Sequence, residues 1–308
     1  MTLVLLLALA PIALLIGLGC WLQRARFLAE TFWPAAERLG YYVLLPSLFF
    51  HSLATARLEE LPVRDMMLAL VLSTVAVAGL LLALRRLVKL DDAAFTSLFQ
   101  GGVRFNTYVG VSAAAGLFGA QGVALSAVVI AAGVPTVNLL CVLVFARYGP
   151  AGRLSLKDVA RQLALNPLLM ACLLGILVQL TGIGIAPGLE PALKALGQAS
   201  LPLGLLCVGA ALDLHSARSW LHPIGLSSLI KFALLPLTTL GLCHALGLGG
   251  EAAIAAILFQ SLPTASSAYV MARQLGGDAP LMAGIIAGQT LLAGIALPVV
   301  VAGAIAWL

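Results

Sequence analysis

Along the chain, apolar runs of about 20 residues, the length that spans a hydrocarbon core as a helix, alternate with short polar connections. Backbone groups in lipid must be satisfied within the segment, which favours helices over open strands. The pattern predicts ten such helices, near residues 2–21, 36–55, 66–84, 94–117, 122–145, 163–181, 192–212, 222–245, 252–274 and 280–307. Two of them are interrupted by polar residues after the same tripeptide: LFQGGVRFNTYVG at 98–110 and LFQSLPTASSAYV at 258–270.

Composition turns this pattern into a class. Hydrophobic residues make up 62% and charged residues 9%, and the mean hydropathy is +1.09, far from a soluble chain with about a quarter of its residues charged. The reading is a polytopic membrane protein forming one embedded unit in a bilayer. The N-terminal run lacks a basic flank and reads as a retained helix rather than a signal peptide. The five cysteines stand singly in apolar segments and read as packing residues, not a disulfide framework or metal site.

The net charge of +5 does not point to nucleic acid, because the basic residues sit in short connections. Twelve of the seventeen Lys and Arg follow odd-numbered segments (Arg24, Arg26, Arg38, Arg85, Arg86, Lys89, Arg147, Arg153, Lys157, Arg161, Arg218, Arg273), three lie on the other side (Arg57, Arg64, Lys194), and Arg104 and Lys231 fall inside segments. By the positive-inside rule the odd connections are cytoplasmic and both termini extracytoplasmic, in a cell inner membrane.

LLPSLFFHSLATARL at 44–58 is echoed by SLPLGLLCVGAALDL at 200–214, with Pro46 matching Pro202. Segments 2 and 4 therefore pair with 7 and 9, giving residues 1–150 and 151–308 as two five-helix repeats of opposite topology, joined by the basic linker 146–162. Corresponding interrupted helices in such repeats point to a midplane site. Arg104, ten residues past Ala94, lies about 15 Å deep, and Pro263, eleven past Ala252, about 16 Å from the other face. Both are near the centre of a core about 30 Å thick. Gly101-Gly102, Asn106-Thr107 and Pro263 favour unwinding there, and two half-helix N-termini would favour an anion.

The candidate substrate-binding residues are Arg104, Asn106, Thr107, Tyr108, Pro263, Thr264, Ser266, Ser267, Gln100, Gln260 and Lys231. Competing readings stand beside several of them. Arg104 either faces the cavity or snorkels; Lys231 either meets a substrate carboxylate or bonds carbonyls structurally; Gln100 and Gln260 either donate to substrate or join helices. His51, Asn138 and Gln289 read as packing or interhelical contacts. No acidic residue occurs between Asp92 and Asp158 or between Glu251 and Asp278, so the local charge is expected to be positive, which favours an anionic substrate.

PTASSAYVMARQLGGDAPLMAGIIAGQTLLAGIALPVV at 263–300, LNPLLMACLLGILVQLTGI at 165–183 with LPLGLLCVGAAL at 201–212, and FNTYVGVSAAAGLFGAQG at 105–122 together resemble the auxin efflux carrier family over nearly the whole chain. The resemblance implies an all-α polytopic membrane protein: ten transmembrane helices as two inverted five-helix repeats with crossed broken helices 4 and 9, similar in outline to sodium/proton antiporters and bile-acid transporters. It also implies scaffold and transport subdomains, elevator-type alternating access and a homodimer. The family's Asn-Thr break falls on Asn106 and Thr107 and its second crossover proline on Pro263. Gly110-Val111-Ser112 stands where the family commonly carries a proline, and the plant carriers' long hydrophilic loop is missing, so a bacterial organic-anion permease is the nearer comparison.

The function expected is secondary transport of a small organic anion, a carboxylate, with no cofactor and with proton or sodium coupling open. The alternative is a cation/proton antiporter of similar architecture. An intramembrane enzyme is disfavoured, since neither GxSxG with a His, spaced aspartates for magnesium diphosphate, nor HExxH occurs.

Overall fold

In the computed structural model, which describes residues 2–56, 61–149, 161, 164–213 and 221–307 (backbone only for 2–8), helices lie over the apolar segments and no strand occurs among the described residues. The sidedness residues Arg57, Arg153, Lys157 and Arg218 lie outside the described residues, as do Asp158 and most of the 146–162 linker.

In chain order the helices are α1 (Thr2–Arg24), α2 (Phe32–Leu39), α3 (Leu45–Thr55), α4 (Val63–Ala83), α5 (Asp92–Val103), α6 (Thr107–Tyr148), α7 (Pro167–Thr181), α8 (Glu190–Ala210), α9 (Leu221–Leu229), α10 (Leu235–Leu246), α11 (Gly250–Gln260), α12 (Ser267–Leu275) and α13 (Ala279–Trp307). The stretches Val63–Ala83, Asp92–Tyr148, Glu190–Ala210, Leu221–Leu246 and Ala279–Trp307 are long and apolar enough to cross a membrane.

Two continuous rods change pitch at π turns, Gly40–Leu44 between α2 and α3 and Ile230–Leu234 between α9 and α10. Each precedes a Leu-Pro pair, Leu45-Pro46 and Leu235-Pro236. Proline donates no N–H and its ring crowds the carbonyl one turn back; widening that turn relieves the clash without ending the helix.

The sequence suggests separate helices at 94–117 and 122–145, but α6 runs 42 residues from Thr107. A straight rod of that length would reach about 63 Å, twice the hydrocarbon thickness. It bends at Gly119, whose φ of 58° and ψ of −135° suit a residue without Cβ. The connection between the two segments is one residue rather than a loop.

α1 and α2 pack along α8, and α3 packs on α7 and α8. The remaining helices pack mainly among themselves: α4 on α6 and α10, α11 on α6 and α10, and α13 on α9, α5 and α11. The α1–α8 contact is backbone to backbone. A Cβ on Gly209 would overlap the Ile16 carbonyl, and one on Gly19 the Leu206 carbonyl. Small residues that admit such approach are how helices associate where lipid offers no hydrophobic drive.

Gly209→Ala is therefore expected to destabilise the detergent-solubilised protein by about 1–3 kcal/mol. Gly241→Ala in α10, with open space at its Cβ position, should leave the melting temperature unchanged or raised. Equal melting shifts for the two variants would contradict the backbone contact.

Candidate functional site

α5 starts from an Asp91 cap, whose carboxylate accepts the Ala94 N–H at 2.7 Å, and stops after Gly101-Gly102, two residues with poor helix propensity. Arg104 is extended (φ −76°, ψ 151°), as is Asn106 (φ −89°, ψ 108°). Asn106 then restarts the helix as an N-cap, its side-chain oxygen accepting from the Tyr108 and Val109 N–H groups at 3.1 and 3.3 Å. The second interruption lies between Gln260, where α11 ends, and Ser266, from which α12 starts without a side-chain cap.

The two interruptions touch. The Asn106 N–H donates to the Pro263 carbonyl at 2.8 Å. Beside that bond the Thr264 N–H donates to Gln289 Oε1 at 3.0 Å, and the Thr264 hydroxyl lies 2.8 Å from the same oxygen and 3.1 Å from the Gly101 carbonyl. The Gln289 amide nitrogen donates to the Gly101 carbonyl at 2.9 Å and reaches Ser227 Oγ at 3.3 Å. One side chain from α13 thus fastens both breaks to each other and to α9.

Arg104 turns toward the second break. Its guanidinium donates to Ser267 Oγ (3.2 Å) at the start of α12, to Asn138 Oδ1 (3.0 Å) on α6 and to Met271 Sδ (3.6 Å). Ser266 donates to Glu37 Oε1 at 2.6 Å. That carboxylate, half-buried on α2, corrects the expectation of a purely positive neighbourhood; it arrives from another helix, so acid counts along the interrupted segments did not register it.

Thr107 opens α6 and is half-buried. Tyr108 is buried, its ring filling a notch where a Cβ on Gly204 or Gly40 would overlap it, and its hydroxyl has no hydrogen-bond partner among the described residues. Gln260 faces α4, with Nε2 at 2.8 Å from Thr74 Oγ1, 2.9 Å from Ser73 Oγ and 3.2 Å from the Leu70 carbonyl. It therefore joins helices rather than facing the crossing. Gln100 and Lys231 are fully buried, and neither the Gln100 amide nor Lys231 Nζ has a hydrogen-bond partner among the described residues.

Arg104, Asn106, Pro263, Thr264, Ser266 and Ser267 thus gather at the crossing. Gln289, Asn138 and Glu37 complete it although sequence reasoning gave them no part in a site. A polar residue inside an apolar run was the available signal for the first two; nothing local marks Glu37. Among the described residues no group of three or more His, Cys, Asp or Glu side chains gathers to hold a metal ion.

Residues 4–301 match the family model described as membrane transport protein. The chain is 27% identical over 252 residues to a Rhizobium meliloti (strain 1021) protein named "Putative malonate transporter", covering 76% of this chain and 75% of that one. It is 26% identical over 291 residues to an "Uncharacterized transporter" from Methanothermobacter thermautotrophicus, covering 93% and 94% respectively.

Gln289→Leu should cost about 1–3 kcal/mol for the buried Thr264 N–H it orphans, while the Gly101 carbonyl keeps the Thr264 hydroxyl as a donor. Gln100→Leu, which removes an amide already lacking partners, should be neutral or stabilising. Chemical denaturation of the two variants in the same detergent checks the contrast, and the reverse order of stabilities would contradict it.

Proposed function

The chain belongs to the membrane transport protein family, the auxin efflux carrier family of the sequence comparison, and from that premise we propose that it is a secondary active transporter moving a small organic anion, a carboxylate, by alternating access at the crossing of its two broken helices. The family is one of transporters, not enzymes.

One observation carries the reading. Arg104, beside two helix interruptions that hold each other by the Asn106–Pro263 bond, is met by neutral acceptors and by no carboxylate among the described residues. A cation at a polar break is costly in an apolar surrounding unless it serves a ligand. In this proposal a carboxylate is taken by Arg104, Asn106 and the Thr264–Ser267 stretch, with Thr107, Tyr108, Gln100 and Lys231 lining or supporting the site and Gln260 holding α11 against α4. The malonate named for the rhizobial relative fits that chemistry.

The proposal extends to ten spans in two inverted sets, residues 1–150 and 151–308, both termini extracytoplasmic in a cell inner membrane, and a homodimer. α1, α2, α3, α7 and α8 would form the scaffold, and the helices around the crossing the moving part. Proton or sodium coupling accompanies the anion. A second reading, a cation/proton antiporter, is favoured by one feature, the Glu37 carboxylate 2.6 Å from Ser266. Sodium flux driven by a pH gradient without organic anion would select it.

In proteoliposomes, Asn106→Ala, Pro263→Ala and Arg104→Gln are each expected to slow counterflow of radiolabelled malonate at least about tenfold, the equivalent of one lost charge-assisted or structural hydrogen bond. Parent-like rates in variants that melt like the parent would refute the crossing as the site.

A further inference from the structure

Away from the crossing, a cavity of about 410 Å³ opens between α3, α8 and the bend of α6. Its volume falls within the range of small-molecule sites, about 300–1,000 Å³. Polar groups from three helices converge on it: His51 and Ser52 of α3, Lys194 and Gln198 of α8, and Gln121 just past the Gly119 kink. The kink is what turns the Gln121 end of α6 into this position.

The cavity lies in line with the crossing. Lining residues Leu48 and Gly197 stand eight residues from Gly40 on one rod and seven from Gly204 on the other, about 12 and 10 Å by helical rise. Gly40 and Gly204 form the notch filled by the Tyr108 ring, and Tyr108 is two residues from Asn106. The tyrosine therefore stands between the cavity and the crossing.

Its chemistry is that of an anion acceptor. Lys194 is exposed and forms no ion pair among the described residues, and two primary amides accompany it. No described lining residue carries a carboxylate. Glu190, the nearest acid on α8, lies outside the lining and is directed to His51, with Oε1 at 3.6 Å from Nε2. The His51 Nε2 has no hydrogen-bond partner among the described residues. Ammonium and amide groups facing lipid would be expensive, whereas facing a watery vestibule they are free to bind.

We propose that this cavity is the receiving site on the extracytoplasmic side: a carboxylate docks on Lys194 and the amides of Gln121 and Gln198, then passes Tyr108 to reach Arg104 and Asn106. The inference rests on the transport reading and adds a second, outer anion site to it. Such a site governs capture rather than translocation, so its loss raises the half-saturating concentration more than it lowers the saturating rate.

The test is uptake of radiolabelled malonate, with acetate and succinate as further probes, into right-side-out vesicles containing the full chain. Lys194→Glu should raise the half-saturating external concentration about tenfold, the worth of a charge-assisted bond, while the saturating rate changes less than about twofold. Gln198→Glu should act in the same direction, and Lys194→Arg should keep the parent value. Lys89→Glu, the same charge change at the opposite end of the molecule, should have no effect. A fall in saturating rate at constant half-saturation, or an equal effect of Lys89→Glu, overturns the vestibule and leaves the crossing intact. Failure of the parent to move any of the three anions removes the transport reading and the vestibule with it.

Discussion

A helix interrupted inside an apolar interior leaves backbone N–H and C=O groups that water does not reach, and each such group left alone costs about 1–3 kcal/mol. The chain meets that constraint by crossing two interruptions so that one repairs the other, the Asn106 N–H on the Pro263 carbonyl. Much else follows from this bond. Asn106 caps the restarted helix with its side chain while its backbone serves the crossing. Gln289 reaches from α13 to occupy the Thr264 N–H and the Gly101 carbonyl. Because each break holds partners belonging to the other, the crossing is tied into one unit with α9 and α13.

Packing differs in kind between the interior of each helix group and the boundary between the groups. α1 and α8 meet through glycines against carbonyls, an arrangement with no freedom to slide. Across the boundary stand the Tyr108 ring in its glycine notch and the Ser266–Glu37 bond. A hydroxyl-to-carboxylate bond and a ring in a smooth notch can be given up and remade at modest cost, since even a hydrogen bond to a charged group nets only about 1.5–3 kcal/mol when water replaces it. For the alternating carrier proposed above, a tight group on either side of a weakly tied boundary would be the workable division.

Hydropathy alone located the helices, because span length and backbone satisfaction leave few other solutions. The interruptions were legible too: Gly101-Gly102, Asn106 and Pro263 are residues whose local effect on a helix does not depend on context. What the sequence hid is tertiary. The continuous run of α6 through Gly119 was read as two helices with a loop, since one glycine at positive φ does the work of a loop without its composition. Gln260 sits at the same LFQ position as Gln100, yet one bonds α4 and the other bonds nothing described. Glu37 lies more than sixty residues before the first break, and only packing brings it to Ser266.

The use of arginine shows how the charge at the crossing differs from ordinary structural charge. Arg85 is held by its two terminal nitrogens: they donate to the Val88 and Leu90 carbonyls and pair with Asp92 at 2.8 Å, and the guanidinium lies over the Phe95 ring with 4.6 Å to the centroid. The Asp92 carboxylate offsets that charge locally. Arg104 is met by Asn138, Met271 and Ser267, all of them neutral. They fix its direction without cancelling its charge, so its field persists in a surrounding of low effective dielectric, where a charge acts several-fold more strongly than in water. Glu37 opposes that field from α2, but it is tied to Ser266 and belongs to the other side of the boundary. The helices of the crossing contribute the cation and α2 contributes the acid. In the proposed alternating cycle, movement of one against the other would change the net charge that a ligand meets, and an anion would gain most with the crossing drawn away from Glu37.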